Sequence, residues 1–217
     1  GRIVLGGDAI KTSTGDYAIF ADIGSVPSTM TAARIAIACA CLIKDSILLQ
    51  SDCVRAYIQA DMSSPDGTIT FVEFPRAWWP PAWLKMKRPV AKLLKALYGH
   101  PRAGDLWQAK LDNILKSFDF VTDNAWPGVY YKPLDSNGDF TMIVVYVDDL
   151  LIIGTKVTEE IMTKLKELVV MEPPTGIDKY LGCFHHVDRR GSPDGHQTTA
   201  VGFDMTNFLK SAVKNFL

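Results

Sequence analysis

The pattern of apolar and polar positions along this chain is clearest near its middle. Met142–Val147 and Leu150–Ile153 are almost wholly apolar runs, and the two acids Asp148 and Asp149 lie between them. Continuous apolar runs of this length are typical of strands that are buried on both faces. The pattern therefore predicts a buried hairpin that carries two adjacent carboxylates at its turn.

Apolar residues at helical spacing occur in further segments. Thr29 supplies a side-chain oxygen that can cap a helix N-terminus, and Glu159 and Glu160 suit the first turn of another helix. The predicted helices are Thr31–Leu42, one that opens at Gly104 and buries Trp107, Leu111, Leu115 and Phe118, one near Thr158–Val169, and Phe203–Leu217.

Shorter segments with β-branched or alternating apolar residues predict strands. They are Ile3–Leu5, Tyr17–Phe20, Ile47–Cys53, Thr68–Phe74, Val129–Lys132, Phe140–Val147 and Tyr180–Val187. Val90–Leu97 is predicted as a strand or a short helix, Pro75–Pro89 as an ordered irregular loop, and Asp188–Thr199 as a loop. Strands and helices follow one another without a regular βα alternation, so the predicted fold class is α+β.

Length and composition bound the class of protein. The chain has 217 residues, of which 47% are hydrophobic, and this is enough for one large domain or two small ones. No run reaches the roughly 18 uncharged apolar residues that a membrane span needs, so we expect no membrane partner. The chain starts without a Met or a signal peptide, and we expect it to be a fragment of a longer protein.

The cysteines lie apart, without the C-x-x-C spacing that is typical of zinc sites. This favours buried thiols in a reducing compartment over disulfides or zinc ligands. The cysteines are Cys39, Cys41, Cys53 and Cys183.

Charge is balanced overall but unevenly distributed. The formal net charge is −1, which does not by itself indicate nucleic-acid binding. The stretch from Arg76 to Lys110 contains one acid, Asp105. Its basic residues are Arg76, Lys85, Lys87, Arg88, Lys92, Lys95, Arg102 and Lys110. The stretch is either a footprint for phosphate groups or the solvated face of a helix whose acids lie elsewhere.

The acid pair has two interpretations. Asp-Asp lacks the glycine that a two-residue hairpin turn prefers, and two like charges in contact raise each other's pKa unless a cation is present. The pair is therefore either a metal site or a solvated turn. Asp52, which ends an apolar strand, is the best candidate for a third ligand. Three aspartates suit two Mg²⁺ ions that promote in-line phosphoryl transfer.

Ordered blocks of the sequence resemble the reverse transcriptases of copia-type (Pseudoviridae) LTR retrotransposons. They are Gln50–Asp52 followed by Ala56–Ile58, Lys95–Gly99 with Trp107 downstream, Tyr146–Asp149 with the sequence Tyr-Val-Asp-Asp, and Tyr180–Gly182. The resemblance covers about Arg2 to Val187, which is most of the chain.

The resemblance implies a right-hand polymerase fold whose palm is an antiparallel sheet backed by helices. On this basis residues 1–27 and 60–104 would form the fingers, 28–59 and 105–187 the palm, and 188–217 the start of a truncated thumb. It also implies an RNA-directed DNA polymerase of a Pol polyprotein, which adds dNTPs to a primer on an RNA or DNA template. Such a protein would work in the cytoplasm, in a retrotransposon particle, or in the nucleus, and its oligomeric state stays open.

The same resemblance assigns catalytic roles around the acid pair. Asp52, Asp148 and Asp149 would be the ligands of two Mg²⁺ ions, for which Mn²⁺ is a substitute. Tyr146 would lie close to the primer terminus.

Further roles follow from the other blocks. Tyr57 matches the steric gate against a ribose 2′-hydroxyl, although the residue alone would read as a core tyrosine. Arg2 would meet the triphosphate, and Leu181 and Gly182 would belong to the primer grip. Lys179 is the candidate general acid for pyrophosphate, with a solvated surface lysine as the alternative.

The chain departs from the family pattern in two places, and the first departure, together with the near-zero net charge and the truncated thumb, favours an alternative function. The family has a Gln shortly after Leu-Tyr-Gly, and here Arg102 occupies that place, where it either holds phosphate or marks a divergent or decayed copy. The family also has a lysine in its fourth polymerase block, a possible general acid for pyrophosphate, and this lysine has no clear match here. The main alternative is a catalytically inactive or domesticated remnant that binds nucleic acid or a protein partner. Another palm-type enzyme, such as a cyclase, is a third hypothesis, with Gly6–Asp8 as a cyclase-like turn or a plain one.

Two remaining features have competing interpretations. His185 and His186 are adjacent on a predicted strand and point to opposite faces, so we expect no shared metal. Trp78, Trp79 and Trp83 either stack on unpaired bases or pack within the core or loop.

Overall fold

The apolar run around the two acids forms the centre of a six-stranded antiparallel sheet in the computed structural model of this chain. The structure describes residues 3–20, 26–62, 69–191 and 197–216. The chain divides into two units. Unit 1 holds Gly1–Ser25 and Arg55–Lys110, and unit 2 holds Val26–Val54 and Leu111–Leu217.

Helices and strands follow one another irregularly among the described residues. The α-helices are α1 (Met30–Leu42), α2 (Ala56–Gln59), α3 (Ala103–Ser117), α4 (Val157–Leu168) and α5 (Thr206–Phe216). The strands are β1 (Ile47–Asp52), β2 (Phe71–Glu73), β3 (Val90–Lys92), β4 (Val121–Thr122), β5 (Val129–Lys132), β6 (Thr141–Tyr146), β7 (Asp149–Gly154), β8 (Thr175–Gly176), β9 (Lys179–Tyr180), β10 (Cys183–Gly191) and β11 (Gln197–Asp204). The mixture of helices with antiparallel sheets confirms the predicted α+β class.

The large sheet of unit 2 has the strand order β4-β5-β6-β7-β1-β8. Its central strands are fully buried at Ile143, Val144 and Leu151, as the continuous apolar runs predict. The sequence therefore places both acids at the end of the most deeply buried strand pair, on strands whose positions packing fixes.

Helix α1 packs against β1, β6 and β7 in one core cluster. Ala33 and Ala36 are buried there, and their small side chains let the helix approach the sheet closely. The Oγ1 of Thr29 accepts a hydrogen bond from the backbone N–H of Ala32 at 3.1 Å, so the predicted N-cap is formed. The other predicted helices and the central strands are confirmed, with small shifts at their ends.

A three-stranded sheet of β9, β10 and β11, also in unit 2, shows that one loop prediction is wrong. β10 and β11 pair antiparallel along almost their whole length, so both ends of Asp188–Thr199 lie in strands; residues 192–196 lie outside the described residues. The side chains of β10 beyond His185 are exposed. Beyond His185, β10 therefore lacks the alternation of buried and exposed positions on which strand prediction depends.

The predicted strand Tyr180–Val187 is interrupted near its start. Tyr180 pairs with Cys183, and the two residues between them form a turn in which Leu181 has φ 48° and Gly182 has φ 80°. Positive φ at both central positions is the geometry of a type I′ hairpin turn. The segment is thus two strands, β9 and β10, joined by a tight turn.

Unit 1 contains the two-stranded sheet of β2 and β3, in which Phe71 pairs with Lys92. The predicted strand Thr68–Phe74 is confirmed only over β2, and Thr68 itself lies outside the described residues. Val90–Leu97 forms a strand only over β3. The predicted irregular loop Pro75–Pro89 contains two 3-10 helices, Arg76–Trp78 and Pro81–Lys85.

The predicted strands near the N-terminus are wrong. Ile3–Leu5 pairs with no strand of the described residues, although the N–H of Leu5 donates to the carbonyl oxygen of Tyr98 at 2.8 Å. Tyr17 forms a single isolated bridge with Lys11. A single bridge or hydrogen bond does not make a ladder, so this part of unit 1 is held by loop contacts and a 3-10 turn at Gly7–Ala9.

The thiols and the helix lengths complete this description. All four cysteines are free; Cys53 and Cys183 are buried, and Cys39 and Cys41 are half-buried in α1. Among the helices of the described ranges, none combines the length and the apolar character that crossing a bilayer requires.

Candidate active site

The two acids lie at the tight turn between β6 and β7 in unit 2. Tyr146 pairs with Asp149 in the strand register, so the turn consists of Val147 and Asp148 alone. Val147 has φ 60°, a left-handed conformation at the turn position that a type II′ turn usually gives to glycine. For a β-branched residue this conformation costs on the order of 1–2 kcal/mol, and the paired strands on both sides hold it.

The third acid is brought to the same place by β1. Asp52 is the last residue of β1 and lies directly opposite Asp149 on the antiparallel neighbour β7. Residues that face each other in this way point to the same side of the sheet, with Cβ atoms about 4.5–5.5 Å apart. The structure therefore brings Asp52 and Asp149 together and places Asp148 in the adjoining turn.

Backbone hydrogen bonds fix the ends of these strands. The N–H of Cys53 donates to the carbonyl oxygen of Asp148 at 2.8 Å. The carbonyl oxygen of Asp52 accepts from the N–H of Glu172 at 2.8 Å, and the Oγ of Ser51 donates to the carbonyl oxygen of Glu172 at 2.7 Å. The end of β1 is thus held by the hairpin turn on one side and by the Glu172 segment on the other.

The acids act on each other electrostatically. Burial, and next the negative charges of Asp148 and Asp52, raise the pKa of Asp149 to about 6. Like charges directly opposite one another destabilise a strand pair. The folded chain therefore holds negative charge at this point against its electrostatic cost, which a bound cation would relieve.

Two buried groups lie close to the acids: the thiol of Cys53, which was predicted to be buried, and the hydroxyl of Tyr180, whose position was not predicted. The thiol of Cys53 is fully buried, and burial followed by the charges of the aspartates raises its pKa to about 12, so the protonated form is favoured. The hydroxyl of Tyr180 is buried and has no hydrogen-bond partner among the described residues. Burial, and next the charge of Asp149, raise the pKa of Tyr180. The sequence signal for Tyr180 was its place before Leu-Gly, which indicated a motif but no contact with the acids.

The carboxylates suit a divalent cation in chemistry and charge. Mg²⁺ prefers oxygen ligands and is typically held by one or two carboxylates together with substrate phosphates. Within the described ranges, no three His, Cys, Asp or Glu side chains form an arrangement that could hold a metal ion. The pairing of Asp52 with Asp149 and the raised pKa of Asp149 nevertheless fit a cation. The carboxylates would have to turn towards a common point to hold it.

The predicted primer-grip and general-acid residues lie around the β9–β10 turn. Leu181 is half-buried and packs against the core of unit 2, whereas Gly182 is exposed with no atom near the place of a Cβ. Lys179 is exposed, and its Nζ lies 5.4 Å from the centre of the Phe184 ring. The ammonium group of Lys179 thus makes a cation–π contact with Phe184.

The predicted nucleotide-binding residues Tyr57 and Arg102 belong to unit 1. Tyr57, in α2, is half-buried and its ring lies 4.6 Å from that of Tyr98, with the planes at 43°. The N–H of Arg102 donates to the Nδ1 of the buried His100 at 3.1 Å. Burial, and next the charge of Arg102, lower the pKa of His100. Arg2, the predicted triphosphate contact, lies outside the described residues.

Two other sequence features have structural explanations. A Cβ at Gly7 would lie 1.9 Å from the carbonyl oxygen of Gly99, so Gly7 is required by a close backbone approach within unit 1. His185 is buried and its ring lies 5.1 Å from that of Phe203, whereas His186 is exposed. The two imidazoles therefore point to opposite faces of β10, as predicted.

Comparisons with known proteins indicate the family of this chain. A family model described as reverse transcriptase (RNA-dependent DNA polymerase) matches residues 15–212. The chain is 40% identical over 68 residues to a retrovirus-related Pol polyprotein from transposon TNT 1-94 of Nicotiana tabacum. The aligned segment covers 31% of this chain and 5% of that protein. It is 29% identical over 116 residues to a putative transposon Ty5-1 protein of Saccharomyces cerevisiae (strain ATCC 204508 / S288c). This alignment covers 52% of the chain and 37% of that protein.

The chain thus spans a small part of one of these curated relatives and about a third of the other. No solved structure matches it significantly. The family match, by contrast, covers most of the chain and includes both β1 and the hairpin that carries the acids. The chain therefore belongs to the reverse transcriptase family, of the type found in copia-like LTR retrotransposons.

Proposed function

We propose that this chain is the polymerase part of a retrotransposon Pol polyprotein, which extends a primer on an RNA or DNA template by adding dNTPs. Family membership supports the reaction class. The observation that carries the proposal is the pairing of Asp52 with Asp149 across β1 and β7, with Asp148 in the adjoining turn. A chain that only bound nucleic acid would have no need of three acids grouped against their mutual repulsion.

In this proposal Asp52, Asp148 and Asp149 are the catalytic metal ligands. A divalent ion held there, Mg²⁺ or in its place Mn²⁺, supplies the positive charge that in-line phosphoryl transfer requires. The residues themselves contribute negative charge on strand ends that the backbone fixes. With a pKa of about 6, Asp149 is mostly ionised at neutral pH, and a cation would favour that form further. Tyr146, which is 37% exposed beside Asp149, would contact the primer terminus.

The proposal assigns residues 1–27 and 60–104, which lie mostly in unit 1, to the fingers. It assigns 28–59 and 105–187, mostly in unit 2, to the palm, and 188–217 to the start of the thumb. Tyr57 would exclude ribonucleotides by its ring, which the neighbouring ring of Tyr98 supports. Arg102, together with Arg2, would hold the triphosphate. Replacing Tyr57 by a small residue should then raise incorporation of ribonucleotides relative to dNTPs.

Two further roles belong to unit 2 under this proposal. Leu181 and Gly182, in the tight β9–β10 turn, would form the primer grip. Lys179 would be a general acid for pyrophosphate, which requires its Nζ to leave the Phe184 ring.

The second candidate function is a remnant that binds nucleic acid or a protein partner without catalysis. It is favoured by one observation, that no three acidic, His or Cys side chains of the described ranges are arranged to hold a metal ion. The replacement of the family's Gln by Arg102 points the same way.

Primer extension by the purified chain separates the two functions. The substrate is a DNA primer on an RNA template with dNTPs and Mg²⁺, and the variants are Asp148→Asn/Asp149→Asn and the control Glu167→Gln, which removes an exposed acid of α4. The proposal predicts extension by the wild type and by Glu167→Gln and none by the double variant. Duplex binding by all three without extension would support the remnant instead.

A further inference from the structure

The segment between β2 and β3 in unit 1 exposes aromatic and basic side chains together. Trp78 is 56% exposed, and Lys85 and Lys87 are exposed on the same short segment. We call the segment Phe74–Lys87, which carries Phe74, Arg76, Trp78, Lys85 and Lys87, the aromatic–basic face. Exposed apolar side chains that lie close together in sequence with basic ones are a feature of surfaces that bind a partner.

Ring contacts and prolines hold this face in one conformation. The ring of Phe74 lies 6.5 Å from that of Trp78 and 6.2 Å from that of Trp83, so it links the two 3-10 helices. The Nε1 of Trp79 donates a hydrogen bond to the carbonyl oxygen of Phe74 at 2.8 Å. The backbone N–H of Trp78 donates to the carbonyl oxygen of Pro75, also at 2.8 Å. Because the exposed ring is already ordered, little conformational entropy would be lost when a partner binds it.

The charge of the aromatic–basic face is positive and largely uncompensated. Glu73 is the only acid between Ile69 and Lys95, and the Nε of Arg88 donates to its Oε2 at 2.8 Å. Lys85 and Lys87 form no ion pair within the described ranges, and the guanidinium of Arg76 lies 5.6 Å from the centre of the Trp79 ring. The lysines are thus available to a negatively charged partner.

We propose that the aromatic–basic face binds an unpaired nucleic-acid strand, with a base stacked on Trp78 and phosphates on Lys85 and Lys87. Rings for stacking together with basic side chains for the backbone are how sequence-tolerant single-strand sites are built. A protein partner fits less well, because lysine is depleted in protein interfaces. The site lies apart in sequence from Asp52, Asp148 and Asp149, and it needs neither a metal ion nor dNTPs.

Fluorescence anisotropy of the full chain with a labelled single strand tests this. The probes are an oligothymidylate and an oligouridylate of about 12 nucleotides, a length in the range that such sites cover, and a blunt DNA duplex in excess as competitor. The buffer contains EDTA, so that no metal site contributes. Trp78→Ala should weaken single-strand binding about 5-fold or more, whereas Trp78→Phe should keep most of the affinity.

The control for Trp78→Ala is Trp126→Ala, which removes a ring that is 41% exposed in unit 2 and should leave the affinity unchanged. Lys85→Gln/Lys87→Gln should lower the slope of the logarithm of affinity against the logarithm of salt concentration by about 1.4, since each phosphate contact on a single strand contributes about 0.7. Lys164→Gln/Lys166→Gln, which changes exposed lysines of α4, should leave this slope unchanged.

Three outcomes would overturn the proposal. One is equal affinity of wild type and Trp78→Ala for both single strands, and the second is full competition by the blunt duplex. The third is a concentration-dependent dimer in sedimentation that Trp78→Ala abolishes while single-strand binding persists, which would make this face a contact between copies of the chain. Asp148→Asn/Asp149→Asn should bind the single strands normally, so a failure here is distinguishable from a failure of the polymerase proposal.

Discussion

The backbone N–H of Cys53 donates a hydrogen bond to the carbonyl oxygen of Asp148 at 2.8 Å. This bond ties the end of β1 to the β6–β7 turn, because Cys53 directly follows Asp52. The register of β1 with β7 then sets Asp52 opposite Asp149. Backbone geometry thereby brings Asp52 to the adjacent acids Asp148 and Asp149, which are distant from it in sequence.

The clustering of acids predicts a pH dependence of stability in the metal-free protein. In the folded chain the pKa of Asp149 is raised to about 6, by burial first and then by Asp148 and Asp52; in the unfolded chain an Asp has a pKa of about 3.9. Between these values the folded state binds more protons than the unfolded state. The contribution of Asp149 to the free energy of unfolding should therefore fall as pH rises from about 4 to about 6 and level off above that range.

Urea unfolding in EDTA at steps across this pH range measures the effect. Asp149→Asn should remove about 2 kcal/mol of the decrease, a figure reduced for partial solvent screening of the group. Glu167→Gln should keep the wild-type profile, since its carboxylate is exposed on α4. If Asp149→Asn and the wild type show the same profile, the pKa of Asp149 is not raised in the folded chain.

The two buried tyrosines of unit 2 should respond oppositely to loss of their hydroxyls. The hydroxyl of Tyr180 is buried without a partner among the described residues, whereas that of Tyr130 is hydrogen-bonded to Asp112. Tyr180→Phe should raise the free energy of unfolding by about 1 kcal/mol, because an unsatisfied buried group is removed. Tyr130→Phe should lower it by about 1–2 kcal/mol, because a hydrogen bond to a carboxylate is lost. A loss of stability in Tyr180→Phe would show that its hydroxyl has a partner.

Gly99 should tolerate no side chain, although Gly15 should. Both have positive φ, at 87° and 93°, but a Cβ at Gly99 would lie 2.0 Å from the carbonyl oxygen of Leu5 and one at Gly15 would meet nothing within 4 Å. Gly15→Ala should cost about 1–2 kcal/mol for the backbone conformation alone. Gly99→Ala should cost a further 1–3 kcal/mol, roughly, for overpacking. Thermal unfolding of the two variants compares them, and equal losses would contradict the close approach.

The sequence predicted the parts of the fold that packing governs. α1, β1 and the β6–β7 hairpin were predicted because long apolar runs and a capped alanine-rich helix leave one way to bury their surface. The hairpin of β10 and β11 was missed because most of its side chains are exposed, so no alternation marked it. The strands predicted at Ile3–Leu5 and Tyr17–Phe20 were wrong because apolar character alone does not supply a pairing strand.

The candidate site was predicted in its residues but not in its geometry. The acids stood out in the sequence as charges beside apolar strands, and the family resemblance named Tyr57, Arg102 and Lys179. The left-handed turn at Val147 and the buried hydroxyl of Tyr180 were not predictable. Each depends on the register of strands, which sequence periodicity does not fix.

The most direct test of the central claim, that Asp52 and Asp149 act in one catalytic site, is a double-mutant cycle on single-nucleotide incorporation. The rate constant is measured for the wild type, Asp52→Asn, Asp149→Asn and the double variant on one primer–template. The account predicts that the rate constant of each single variant falls about 10³-fold or more. The double variant should be scarcely slower than either, because the effects of residues that act as a unit are grossly non-additive. Losses that multiply, or an Asp52→Asn variant as fast as the wild type, would contradict it.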